Sequence, residues 1–430
     1  MVALFGINLN KMHFCQPINR INLNKMKNYF TLTVVGCALS LSVVAQTTST
    51  TGETRMLSDT SKNGTTIGGY GNAFYQRDNN LETAKMNLER FVLFAGHRFN
   101  KNFSFFSELE VEDAKVSGGE EGGEVALEQC YIQYNVDARH YWKFGLFIPQ
   151  IGILNANHLP ENYNGNERNG IETLLIPSTW RELGVSYHAS LSKIPLNYSI
   201  ALVNGLNSAG FEHGTVIRGG RFEGRDASAN NLALTGAVDY TYKKFTFQVS
   251  GYYGGSVGLS PREADSLGLE SGIFGSAVGL AEGDIRYTSG RLAVKVLATT
   301  VSIPKAASIN RAYANNTPAL ALGGYAEVAY SIYKSKSEKS KANLIAFARF
   351  EDMNLNADIP TNGIDDPTLD KQNLVIGFTY LPISNIVFKA DVRFLTTGEQ
   401  NPDLIINPSP TAPEYKTNNS FINLGIGYSL

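Results

Sequence analysis

The stretch NIVFKADVRFL (385–395) sets apolar side chains, Ile386, Phe388, Ala390, Val392 and Phe394, in alternation with the charged Lys389, Asp391 and Arg393. Successive side chains of a strand point to opposite faces, so this segment offers one face to an apolar medium and the other to water. The final segment, 420–430, repeats the pattern: Ile422, Leu424, Ile426, Tyr428 and Leu430 oppose Asn423, Gly425, Gly427 and Ser429. Residues 103–113 set Phe103, Phe105, Leu109 and Val111 against Ser104, Glu108, Glu110 and Glu112, with Phe106 out of phase. Residues 139–148 place Trp142, Phe144, Leu146 and Ile148 on one face.

Working outward, the same reading predicts strands at 65–77, 86–98, 103–115, 124–136, 139–148, 180–191, 196–206, 232–243, 245–254, 274–288, 291–302, 320–333, 342–352, 373–381, 385–395 and 420–430. Alternation is weakest at 274–288 and 320–333, where Gly and Ala blur it, so a count of eighteen is admissible beside sixteen. Every second connection is short: 99–102, 137–138, 192–195, Lys244, 289–290, 334–341 and 382–384. The others are mostly long: 78–85, 116–123, 149–179, 207–231, 255–273, 303–319, 353–372 and 396–419. An even strand number, short periplasmic turns and long extracellular loops are the pattern of an all-β transmembrane antiparallel barrel. Closure is required because lipid offers a sheet edge no hydrogen-bond partner. Aromatic residues near strand ends, Tyr70, Tyr75, Phe99, Tyr131, Tyr141, Tyr187, Tyr240, Tyr333, Tyr380 and Tyr428, are candidates for the interfacial girdle.

Composition agrees. Charged residues make up 18% of the 430 residues, below the roughly 25% of soluble domains. Mean hydropathy is −0.14, as expected where only alternate positions meet lipid. The formal net charge of −2 provides no basic field for a nucleic acid. Met26 to Ala45 reads as a cleaved signal peptide, with Lys27 before an apolar run from Thr31 to Val44 and Val43 and Ala45 preceding cleavage. Residues 1–25 then form an upstream extension, 46–64 a flexible Thr/Ser-rich leader, and 65–430 the barrel. The box Val34-Val35-Gly36-Cys37 is a weaker lipoprotein alternative that implies export equally. Cys130 is the one cysteine beyond this region, so the exported chain holds no intrachain disulfide.

Residues 68–221 carry a further signal. Gly68-Gly69-Tyr70-Gly71 is followed by ERFVLFAGHRFNKNFSFFSELEVEDA (89–114), GEVALEQCYI (123–132), FGLFIPQIGILNANHLPENYNGNERN (144–169), ETLLIPSTWRELGV (172–185), LVNGLN (202–207) and RGGR (218–221). This run resembles the porin O and P family, the phosphate-selective porins and their relatives. The resemblance implies a 16-stranded outer-membrane channel, a homotrimer, and a third long loop, 149–179, that folds into the barrel and narrows it.

The content of that loop fits such a constriction. Pro149, Pro160 and Pro177 stiffen it, and Asn155, Asn157, His158, Asn162, Asn166 and Asn169 are candidates to line it. Arg168 and Arg181, opposed by Glu161, Glu167 and Glu172, are the expected source of a transverse field. Strand faces nominate further lumen charges: Arg90, Lys143, Arg291, Lys295, Arg349, Lys389 and Arg393 as cations, and Glu108, Glu110, Glu112, Glu351 and Asp391 as anions. A phosphate channel calls for a ladder of cations with few acids between, and here acids intervene. The expectation is therefore passive diffusion of small hydrophilic solutes or ions across the bacterial outer membrane, with a phosphate- or anion-selective porin as the alternative.

Other readings are less supported. A surface adhesin or structural barrel shares the pattern. A barrel enzyme would need a nucleophile, base and orienter, and no Gly-x-Ser-x-Gly elbow is present. No cofactor and no metal is expected. The acid-rich loop 353–372 breaks EF-hand spacing at Pro360 and reads as solvated, as does the lysine cluster Lys334, Lys336, Lys339 and Lys341 in a short turn.

Overall fold

The computed structural model describes residues 64–113, 124–335, 341–405 and 413–430. The expected signal peptide, nearly all of the leader, the tip 118–123, and Lys336 and Lys339 lie outside these residues. Sixteen strands follow in order: β1 Gly64–Asp78, β2 Thr83–Arg98, β3 Phe103–Glu112, β4 Val125–Asn135, β5 His140–Phe147, β6 Glu182–Ser190, β7 Leu196–Asn204, β8 Leu232–Tyr242, β9 Phe245–Gly254, β10 Val278–Ser289, β11 Leu292–Ser302, β12 Leu320–Lys334, β13 Asn343–Asp358, β14 Asp370–Ile383, β15 Ile386–Thr397 and β16 Asn418–Ser429. Each pairs with its chain neighbours, and β1 pairs antiparallel with β16 from Tyr70↔Ser429 to Asp78↔Phe421, closing the barrel. Closure leaves no strand edge, as a lipid environment demands. No helix among the described residues is long and apolar enough to cross a membrane.

All sixteen expected strands are present, including the two with blurred alternation, and the admissible eighteen is not reached. The largest boundary change is in β13. It runs on through Asn354 and Asn356 to Asp358, so the acid-rich loop shortens to 359–369. Asn356 donates to the Asp366 carbonyl at 2.9 Å, and Asp366 pairs with His213 at 2.8 Å, so these polar groups bind the loop to its neighbours.

The outward face is apolar around the whole circumference. Leu109, Phe144, Ile200, Val249, Ile285, Val328, Phe350, Ile376, Phe388 and Leu424 are all exposed. A side chain of this size left in water forgoes about 1.5–3 kcal/mol, and a continuous belt of them is the lipid face of a membrane barrel. Near the short-turn end aromatics gather: Trp142 lies 4.8 Å from Tyr187, Phe103 4.9 Å from Tyr134, and Phe245 4.7 Å from Tyr287, between ring centroids. Three of the expected girdle residues are not part of it: Tyr141 shares the inner face of β5 with Lys143 and stacks 4.6 Å from the buried His188. Tyr70 and Tyr131 point into the lumen and are buried there. Phe106, out of phase with an apolar outer face, also turns inward and packs 5.5 Å from Tyr131 and 6.2 Å from Phe94. The inner wall of β2–β4 is thus partly aromatic, which a reading of inward as polar does not anticipate.

Lipid exposure gives a depth-dependent prediction. Ile376, at the middle of β14 and 48% exposed, should lose about 2–4 kcal/mol of folding stability when replaced by Arg, whereas Tyr380→Arg nearer the belt should cost about 0–1 kcal/mol. Denaturant unfolding in lipid vesicles measures both, and equal costs would contradict the assigned depth.

Candidate pore constriction

Loop 148–181 enters the barrel and crosses it. One limb lies on β9, where Gln248 donates to the Gly152 carbonyl at 3.0 Å and Gly152 donates to Ser250 at 3.3 Å. The far end lies on β15, β16 and β1. There the Asn166 backbone and side-chain amides donate to Asp391 at 2.8 and 2.9 Å, Ser429 donates to Glu161, and Gln76 donates to Glu167 at 3.1 Å. β9 and β1 stand eight strands apart in a ring of sixteen, so the loop spans opposite walls. Glycines make the approach possible. A Cβ on Gly425 would collide with the Asn166 side chain, and one on Gly427 would sit 2.5 Å from Pro160 Cβ.

Between these ends the loop is stitched to β12 and β13. Arg349 lies between Glu351 at 2.7 Å and Glu327 at 3.4 Å, and donates to the loop carbonyls of Asn164 at 3.0 Å and Glu167 at 3.4 Å. Asn164 returns a bond to Glu327 at 2.9 Å, Gly170 donates to Glu351 at 3.0 Å, and Lys295 stands 3.8 Å from Glu327. Charges taken from water must be paired in this way, because losing one partner of a buried pair costs about 3–5 kcal/mol.

The expected constriction residues separate into distinct roles. Glu172 is fully buried. Its carboxylate accepts the Ile153 and Leu154 amides at 2.6 Å each, Asn169 Nδ2 at 2.9 Å and the Tyr325 hydroxyl at 2.9 Å, so it organises the loop and has no open face toward solutes. Arg168 donates to the His158 carbonyl at 3.3 Å. Arg181 stands apart from Glu161, Glu167 and Glu172; it pairs with Glu223 of loop 205–231 at 2.7 Å. The expected field of two arginines against three glutamates is therefore not assembled as drawn. Glu167 instead faces Arg393, with Nε–Oε2 at 3.2 Å, and Arg393 stacks over Phe421.

The wall charges divide likewise. Glu108, Glu110, Lys143, Arg349, Lys389 and Asp391 are each at most 6% exposed, and Glu351 is 2% exposed, so they serve loop and wall contacts. Lys389 Nζ lies 3.5 Å from the centre of the Tyr163 ring, and Lys143 Nζ 4.6 Å from that of Tyr131. Arg90 pairs with Glu110 at 3.5 Å and Glu112 at 3.1 Å. Arg291 belongs to the turn before β11, where it donates to the Ile332 carbonyl at 3.3 Å at the short-turn rim, outside the packed lumen. Glu112, Glu167, Lys295 and Arg393 keep substantial side-chain exposure, and they mix both signs.

Several residues that matter here have no strong sequence signal. Arg218 donates to the Thr173 carbonyl at 2.9 Å and Arg221 to the Pro177 and Thr179 carbonyls at 3.3 Å, so RGGR clamps the returning limb of the loop. Burial lowers both guanidinium pKa values, Arg221 to about 10, which leaves Arg221 charged at neutral pH. Glu327 and Tyr325 sit in the Gly- and Ala-rich β12. Glu128 sits at a β-bulge that turns it inward beside Gln129, whereas simple alternation would send one of the two outward.

No family model matches the sequence. An uncharacterized protein of Aquifex aeolicus (strain VF5) is 27% identical over 335 residues, spanning 77% of this chain and 75% of that protein. The structure is similar to Salmonella typhi OmpF in its complex with daunomycin, at 12% identity and TM-score 0.52, covering 86% of this chain and 98% of that one. It is also similar to a loop L8 deletion mutant of OmpT, an outer membrane protein of Vibrio cholerae, at 12% identity and TM-score 0.51, covering 85% and 99%. These likenesses establish a porin-like, 16-stranded barrel.

The stitching predicts two separable effects. Glu172→Ala removes the acceptor of two buried backbone amides and should cost about 2–4 kcal/mol. Gly425→Val leaves Glu172 intact but pushes the 164–167 segment from β16. Both should raise single-channel conductance, and only the first should markedly lower the temperature at which the folded gel band is lost. Unchanged conductance in both would remove the loop as the narrowing element.

Proposed function

We propose that this barrel is an outer-membrane diffusion channel for small polar solutes or ions, narrowed by loop 148–181. The observation that carries the reading is the loop itself: it crosses the lumen, held on β9 by the neutral Gln248–Gly152 bond and on β13 and β15 by bonds to the charged Arg349 and Asp391. The likeness of residues 68–221 to porin O and P channels supports the same reading, an outer-membrane location and a homotrimeric assembly.

Weak ion selectivity follows from the charges left open. Glu112, Glu167, Lys295 and Arg393, each in an ion pair yet partly exposed, would present both signs to a passing ion, and selectivity depends on rings of one sign. Arg90 and Arg349, two of the cations that could have formed an anion ladder, are each held by two carboxylates.

The test is single-channel conductance of the detergent-purified, refolded protein in a planar bilayer under a KCl gradient, repeated with added phosphate. Small, stable openings with a reversal potential near zero and no phosphate block are expected. A strong anion preference with phosphate block would replace this reading with the anion-selective one. Absence of openings from heat-modifiable, membrane-inserted protein would favour the structural and adhesin readings.

A further inference from the structure

Where the loop meets β3 and β4, three side chains converge that the narrowing of the barrel does not explain. Glu108 on β3, Glu128 on β4 and His158 on the loop are all buried, and a ligand atom from each lies within 4.8 Å of the other two. We propose that these residues form a binding site for a divalent transition-metal ion such as Zn²⁺ or Mn²⁺, which fastens the loop to the barrel wall.

The site is built rather than incidental. Strand β4 carries a bulge at this point: Glu108 pairs with Gln129, Leu109 pairs with Leu127, and Glu128 is the additional residue. Bulges re-aim side chains, often beside functional sites. Here the bulge brings Glu128 and Gln129 inward together, at 0% and 4% exposure. Gln129 then donates to Glu108 at 2.6 Å, and the buried Tyr70 hydroxyl donates to Glu128 Oε2 at 2.9 Å. Outer partners of this kind fix the orientation of carboxylate ligands. The other oxygen, Glu128 Oε1, is buried with no hydrogen bond of good geometry.

His158 is oriented in the same manner. Its Nδ1 lies 3.2 Å from the Asn155 carbonyl, which can only accept, so Nδ1 carries the proton and Nε2 presents a lone pair. Nε2 is the nitrogen facing Glu128, at 4.0 Å from Oε2. That separation is too long for a hydrogen bond. It is close to the roughly 3.4 Å that separates two ligands of one tetrahedral ion with bonds of about 2.1 Å. A fully buried carboxylate needs compensation; Arg90 and Arg168 supply part of it from a distance, and a bound cation would add to it.

The donor set selects the ion. Two carboxylates alone would suit Ca²⁺ or Mg²⁺, but an imidazole nitrogen favours Zn²⁺, Mn²⁺ or a related transition metal. The ligands come from two wall strands and one loop, so occupancy would couple directly to the loop's hold on the wall. This inference concerns the loop's attachment and does not depend on which solute passes.

The experiment uses tag-free protein, refolded in EDTA, freed of chelator and checked for heat-modifiability. Zn²⁺ and Mn²⁺ are titrated by calorimetry, with Ca²⁺ as control. One site per chain is expected, with Ca²⁺ weaker and the melting temperature raised by the bound ion. Pulsed EPR of the Mn²⁺-loaded protein should show one coordinated nitrogen. His158→Gln should abolish that coupling and weaken binding by at least about tenfold, and Glu128→Gln should weaken binding similarly. Failure of the folded wild-type protein to bind either metal overturns the proposal. So does binding that both variants retain at full strength, or an EPR spectrum without nitrogen coupling.

Discussion

The pairing of β1 with β16 is the constraint from which the other features follow. Without it two strands would present unpaired amides and carbonyls to lipid, each an unsatisfied polar group in hydrocarbon. With it, every strand has one face on lipid and one on the lumen, and the side-chain alternation is forced around the ring. Sixteen strands enclose more space than their own inward side chains can fill. Something else must occupy that space, whether water or protein, and in this chain much of it is loop 148–181.

How the loop is held explains the unusual number of buried charges. An apolar plug would need an apolar inner wall, and parts of β10–β12 provide one: Leu280, Leu297, Val301 and Ala321 pack with Ile171, Leu175 and Ile176. Elsewhere the wall is polar, and a backbone lying on it must have its own amides and carbonyls satisfied. Arg349, Glu327, Glu351 and Asp391 perform that task by bonding to loop backbone or to its asparagines. Wall charges that a strand-by-strand reading assigns to solutes are thus largely used by the protein itself.

The fold was almost wholly legible because its signals are local. Strand number, order and the alternation of short and long connections all follow from side-chain period and turn residues, and even the blurred β10 and β12 were placed. The blur has a cause: Gly323 on β12 leaves room for Ile171 and Leu175 of the loop, so a small residue replaced a patterned one. The site was legible only as a segment. Loop 149–179 was recognised, but the partner of each charge was not, because Glu172 with Tyr325, and Arg349 with Asn164, join residues more than 150 positions apart. Arg181 found Glu223 and not its neighbours in sequence. Glu128 was missed for another reason: a bulge shifts parity by one, and alternation then assigns the wrong face.

These long-range pairings also bear on what a channel through this lumen would select. A charge acts on a passing ion through the field it leaves uncompensated. Arg349, held by two carboxylates and two carbonyls, leaves little, and its burial at 4% exposure keeps ions at a distance. Glu167 and Arg393 remain accessible, yet they lie 3.2 Å apart and form a dipole rather than a net charge. Such a pair would favour neither ion sign. If the barrel is the diffusion channel proposed above, size exclusion by the loop, not charge, would be its main filter, and changing selectivity would require unpairing a wall charge from the loop that uses it.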